Sequence, residues 1–174
     1  MASILKVNTI QDATNSTTSM TIDSTGRILT PARPAFRARI AGSSTGTGVN
    51  GNIVFETEDF DIGSNYDHTN GEFTAPIAGI YQFVFKCLIA TNTSGSAMAG
   101  GDVFYADLEV NGSTVDGGRC YQYIGNGAHQ NQVHLNELQQ LSANDTVRIN
   151  VGSEFVYSEA NAEYDPVFMG LLVG

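Results

Sequence analysis

The stretch FTAPIAGIYQFVFKC, residues 73–87, places an aromatic ring at every second position. Tyr81, Phe83 and Phe85 alternate with Gln82, Val84 and Lys86. A side-chain period of two puts all three rings on one face of a strand. Three rings on one face need a broad apolar surface to pack against. Pro76 and Gly79, just before the strand, supply the bend that leads into it.

Short β-patterned runs separated by Gly, Ser and Asn recur along the rest of the chain. AFRARI alternates Phe36, Ala38 and Ile40 with arginines, and NIVFETEDF follows the loop AGSSTGTGVNG. After the strand over 79–90 and the loop TNTSGSAMAGG come VFYADLEV, an Asn111-Gly112 turn, RCYQYI, QVHLNELQQL, DTVRINV and VFMGLLV. No amphipathic helix and no internal repeat stands out. Strands of this length and spacing predict an all-β sandwich or jelly roll. The last strand is apolar on both faces, so Phe168, Met169 and Leu171 are expected to meet a second subunit as well as the core.

The first thirty residues differ in character. SMTIDSTGRIL (19–29) reads as a hairpin around the turn Asp23-Ser24-Thr25-Gly26, with one more short strand in SILKVNTIQ before it. They hold too few apolar residues for a core of their own. Pro31 and Pro34 in TPARPAF make a stiff connector. The expected division is an N-terminal β arm over 1–33, which docks on something else, and a body over 34–174.

The net charge of −10 is divided unevenly. Residues 1–40 carry Lys6, Arg27, Arg33, Arg37 and Arg39 against Asp12 and Asp23, a balance of +3; residues 41–174 carry three basic and sixteen acidic residues, a balance of −13. An acidic body argues against nucleic acid and anionic lipid as partners. No stretch has membrane-spanning length, and MASILKVNTIQDATNS does not read as a signal peptide. The sequons at Asn15, Asn92, Asn111 and Asn144 are then chance matches in a Ser/Thr/Asn-rich chain.

The spacing Phe55-x5-Asp61-x4-Tyr66-x6-Phe73-x5-Gly79-x-Tyr81-x-Phe83-x-Phe85 matches the signature of the globular head of complement C1q. This head is related to the jelly roll of tumour necrosis factor. IGSNYDHTNGEFTAPIAGIYQF resembles the family's central block, LSANDTVRINV its turn and following strand, and VFMGLLVG its closing strand. The resemblance covers residues 34–174. It implies a ten-stranded jelly roll that assembles as a homotrimer, with calcium near the trimer apex in many members. The arm, ILKVNTIQ…MTIDSTGRIL, resembles the N-terminal segments of virion structural proteins of tailed phages, especially those of marine cyanobacteria.

No residue set points to catalysis. His68, His129 and His134 lack zinc spacing with the cysteines, and Cys87 continues the aromatic face as a buried thiol. Cys87 and Cys120 are too few for a disulfide framework, and the sequence leaves open whether they pair. The Gly-rich loops lack the Gly-Lys-Ser/Thr ending of a phosphate loop, and no nucleophile elbow occurs. The acidic run ETEDFD offers Glu56, Glu58, Asp59 and Asp61 either as a solvated edge or as carboxylates for calcium. The expected function is a virion structural protein: a trimeric knob on a short arm, docked to other virion proteins through residues 1–30. It would act as a short tail appendage binding a host surface protein or glycan, without nucleic acid or membrane insertion. The alternatives are a capsid decoration protein and a non-viral trimeric binding module.

Overall fold

The computed structural model describes residues 5–40, 51–90, 103–123, 130–152 and 165–174. Most of the loops AGSSTGTGVNG and TNTSGSAMAGG, with Asn92 and His129, lie outside the described residues. Near the N-terminus, β1 (Thr9–Gln11), β2 (Thr18–Ile22) and β3 (Ile28–Leu29) form a small antiparallel sheet of their own. The body follows with β4 (Ala35–Arg39), β5 (Gly51–Asn52), β6 (Thr57–Ile62), β7 (Tyr66–Asp67), β8 (Glu72–Thr74), β9 (Gly79–Ala90) and β10 (Val103–Val110). It is completed by β11 (Ser113–Tyr123), β12 (Gln130–Leu141), β13 (Thr146–Val151) and β14 (Val167–Leu172). Among the described residues there is no helix, and hence none long and apolar enough to cross a membrane.

The body strands form two facing sheets. A front sheet runs β12-β9-β14-β4-β6 and a back sheet runs β11-β10-β13-β8-β7, with the two-residue β5 also paired to β13. All these pairings are antiparallel. Five strands face five, so the expected ten-stranded jelly roll is present with β5 as an extra segment.

The alternating rings of β9 explain why the sheets close on each other. Tyr81, Phe83 and Phe85 are fully buried, as are Phe36, Phe55, Phe73 and Phe168. Phe36 stacks on Tyr66 at 4.7 Å and on Phe73 at 5.0 Å, and meets Phe168 edge-on at 5.0 Å. Offset and edge-on pairs of this kind add to the area they bury. Gly79 opens β9 because the C-terminal segment crosses it closely. A Cβ there would lie 2.6 Å from Leu172 Cδ1 and 3.0 Å from the Gly174 carbonyl oxygen. The Ile80 N–H donates to that same carbonyl at 2.6 Å.

The N-terminal sheet contributes no residue to the hydrophobic core, which begins at Phe36. Asp23 Oδ1 accepts the backbone N–H groups of Thr25 at 2.8 Å and Arg27 at 3.0 Å, which fixes the hairpin turn. The register Ile10↔Met20 and Ile22↔Ile28 places those four residues on one face. Ile10, Ile22 and Ile28 are exposed there. The charge division needs one correction. Arg37 and Arg39 lie in β4 and are ion-paired within the body, Arg37 to Asp59 and Arg39 to Asp59 and Asp165. Residues 1–33 keep Lys6, Arg27 and Arg33 against Asp12 and Asp23, a balance of only +1.

Candidate functional site

The outer face of the front sheet carries a group of exposed apolar side chains. Strand pairing aligns Leu138, Gln82, Leu171, Ala35 and Ile62 in one cross-strand row. The adjacent row runs Asn136, Val84, Met169, Arg37 and Phe60. Leu138 is 60% exposed, Phe60 48% and Leu171 38%. A hydrogen bond of 2.9 Å from Gln82 Nε2 to Asn136 Oδ1 satisfies two polar side chains in the middle of this face.

The three residues expected at a subunit contact therefore separate. Met169 and Leu171 point outward, where another chain can reach them. Phe168 does not: it is wholly buried among Phe36, Phe55, Tyr66 and Phe83 in its own core. Period two makes this unavoidable, because Met169 and Leu171 share one face and Phe168 takes the other. Sequence reasoning missed Leu138, Phe60 and Ile62. A parity signal was available for Leu138, since Val133, Leu135 and Leu141 are odd-numbered inward residues of β12 and Leu138 is even.

The carboxylates considered for calcium do not converge. Glu58 Oε1 lies 2.7 Å from His68 Nδ1, and Asp59 is held between Arg37 and Arg39. Asp61 Oδ2 accepts the Tyr66 backbone N–H at 2.9 Å. Glu56 is exposed beside them. Among the described residues no three His, Cys, Asp or Glu side chains are grouped to hold a metal ion. Asp59, paired to arginine, and Asp61, bonded to a backbone donor, act in the fold.

Asp61 and Tyr66 form a corner. The Tyr66 hydroxyl donates to the Phe55 carbonyl at 3.2 Å, and burial pushes its phenol well above the ordinary range. The Tyr81 hydroxyl likewise donates to the Ile77 carbonyl at 2.9 Å. The signature residues thus build the core and its corners. Cys87 and Cys120 are free thiols. They enter the interior from opposite sheets, and facing sheets lie about 10 Å apart, whereas a disulfide needs Cα atoms within about 7 Å. His134 is exposed on β12, opposite Lys86.

Where the arm meets the body there is an open cleft of about 500 Å³, lined by Asp12, Asn15 and Thr17 from the arm and by Pro34, Ile77 and Leu172 from the body. The Leu172 N–H donates to the Pro34 carbonyl at 3.0 Å. The arm joins the body at the edge where β9 begins and β14 ends.

The comparisons agree with this architecture. The family model described as the C1q domain matches residues 35–173. Among solved structures, the globular domain of zebrafish complement 1qA protein is 17% identical with a TM-score of 0.56, over 81% of this chain and 98% of that one. Murine APRIL, solved at pH 5.0, is 10% identical with a TM-score of 0.59, over 81% of this chain and 99% of that one. A search of curated proteins finds no similar sequence.

Proposed function

The chain belongs to the C1q domain family, and we propose that it serves as a structural protein of a phage virion. In this reading three copies form a knob, and the N-terminal arm docks the knob on the particle as a short tail appendage that attaches to the host surface. The observation that carries it is the arm. Residues 1–34 lie outside the matched domain, and β1, β2 and β3 turn Ile10, Met20, Ile22 and Ile28 to one face that the body leaves open. A small sheet with an uncovered apolar face gains stability when a partner covers that face. Its resemblance to the N-terminal segments of phage virion proteins names the kind of partner.

The trimer is part of the same proposal. The rows containing Leu138, Leu171, Met169, Phe60 and Ile62 give each copy an apolar face that a threefold arrangement would cover. The experiment is to count copies per particle by quantitative gel electrophoresis of purified virions. A few copies per particle support the tail appendage. Hundreds support a decoration protein on the shell, and none in any virion fraction leaves a binding module outside a particle.

A further inference from the structure

The back sheet turns a second, chemically different face to solvent at β10 and β11. Val103 stands opposite Tyr123, Tyr105 opposite Tyr121, and Asp107 opposite Arg119. The intervening Phe104 and Ala106 are fully buried, so the paired set points outward. Tyr121 is 73% exposed and Tyr123 59%. The core closes without them.

The base of this strip is fixed. Arg119 lies 4.5 Å from the centre of the Tyr105 ring and grips Asp107 with two bonds, Nε to Oδ1 at 2.6 Å and Nη2 to Oδ2 at 2.7 Å. Tyr105 itself covers Gly152, where a Cβ would fall 1.7 Å from the ring. Such a platform is ordered before any ligand arrives, and tyrosine loses little side-chain freedom on contact.

We propose that the strip of Tyr105, Tyr121, Tyr123 and Arg119 is a binding site for a neutral glycan. This deepens the attachment reading given above and rests on it. The charges decide the class. Arg119 is paired to Asp107 and Arg148 to Glu109 at 2.7 Å, so the strip is neutral within a body of −11. A polyanion meets the repulsion of that body and finds both arginines already engaged. A neutral sugar chain meets no such penalty; its apolar ring faces lie on the phenol rings and its hydroxyls reach the tyrosine hydroxyls, while Asp107 stays buried beneath Arg119. The dimensions agree. From Val103 to Asp107 the strip runs roughly 14 Å on strands about 5 Å apart, far below the ~800 Å² that a stable protein interface takes from each partner. Its place agrees too, since Val103 and Tyr123 lie at the end of the sandwich away from Pro34 and the arm.

The test is affinity electrophoresis of the full chain through gels cast with dextran, mannan, galactan or, as an anionic control, alginate. At least one neutral polymer is expected to retard it, with the double variant Tyr121→Ala, Tyr123→Ala binding about tenfold more weakly. The pair Tyr121→Phe, Tyr123→Phe keeps the rings and should retain most of the retardation. No retardation by any neutral polymer overturns the proposal, as does retardation by alginate alone or binding unchanged in the Ala variant. Sedimentation of the Ala variant supplies a further check: if its mass falls below that of the unmodified chain, the strip is a contact between copies and the proposal fails. Copy number in virions tests the attachment reading separately, so the two can fail independently.

Discussion

Phe168 and Met169 are adjacent in the chain and face opposite sides of the same sheet, one closing the core and the other meeting solvent. Their substitutions therefore differ in kind. Phe168→Ala removes a ring packed against Phe36, Phe55 and Phe83, and is expected to destabilise the fold by about 3–5 kcal/mol. Denaturant unfolding followed by circular dichroism measures it. A loss under about 1 kcal/mol would mean that the ring is not packed as described.

Leu171→Asp should leave each copy folded, because its side chain is 38% exposed on the single chain. The assembly is another matter. A carboxylate in a covered apolar face is left without a partner, which costs several kcal/mol per copy. Sedimentation equilibrium of residues 34–174 is expected to give a trimer for the unmodified fragment and a folded monomer for the variant. A monomeric unmodified fragment would remove the trimer from the proposal.

Deleting residues 1–30 should scarcely move the melting temperature, since the body's core contains no residue before Phe36. Incorporation into particles should be lost. If the truncated chain enters virions at normal copy number, the anchor is on the body.

The acidic segment is expected to show no ion specificity. Asp59 is already neutralised by Arg37 and Arg39, and Glu58 is engaged with His68. Thermal melts at matched ionic strength should be the same with chelator, calcium or extra sodium chloride. A midpoint raised by calcium alone would point to a site assembled between copies.

Burial, reinforced by the nearby Cys120, pushes the Cys87 thiol well above its usual pKa. The folded state thus favours the neutral thiol. Its contribution is complete below the unfolded value of about 8.5 and is lost as pH rises through the folded value. Cys87→Ala should therefore flatten the fall in stability above about pH 9. Native protein at neutral pH should resist iodoacetamide at Cys87, and rapid labelling there would contradict the burial.

Much of the fold was legible because its strongest signal is local. Alternation along Tyr81, Phe83 and Phe85 needs only period two; the turn at Asp23 follows from its own side-chain bonds, and the one at Asn111-Gly112 from positive φ at both residues. The outward apolar face was harder to read. Leu138, Leu171 and Ile62 are distant in sequence and become one row only through strand pairing. The tyrosine strip was hidden in the same way, since Tyr105 and Tyr121 meet only once β10 and β11 are in register. Phe168 misled for the opposite reason. A strand apolar at every position does not say which of its residues belong to the neighbour.

The strand that carries the arm, β4, is an interior one, flanked by β14 and β6. Tension applied to the arm while the far end of the knob is held runs along β4, at right angles to its ladder bonds on both sides. Those bonds must then yield together in shear and cannot be unzipped one at a time. In the proposed virion role, a particle pulled by flow against a surface would load the sandwich in that shear direction.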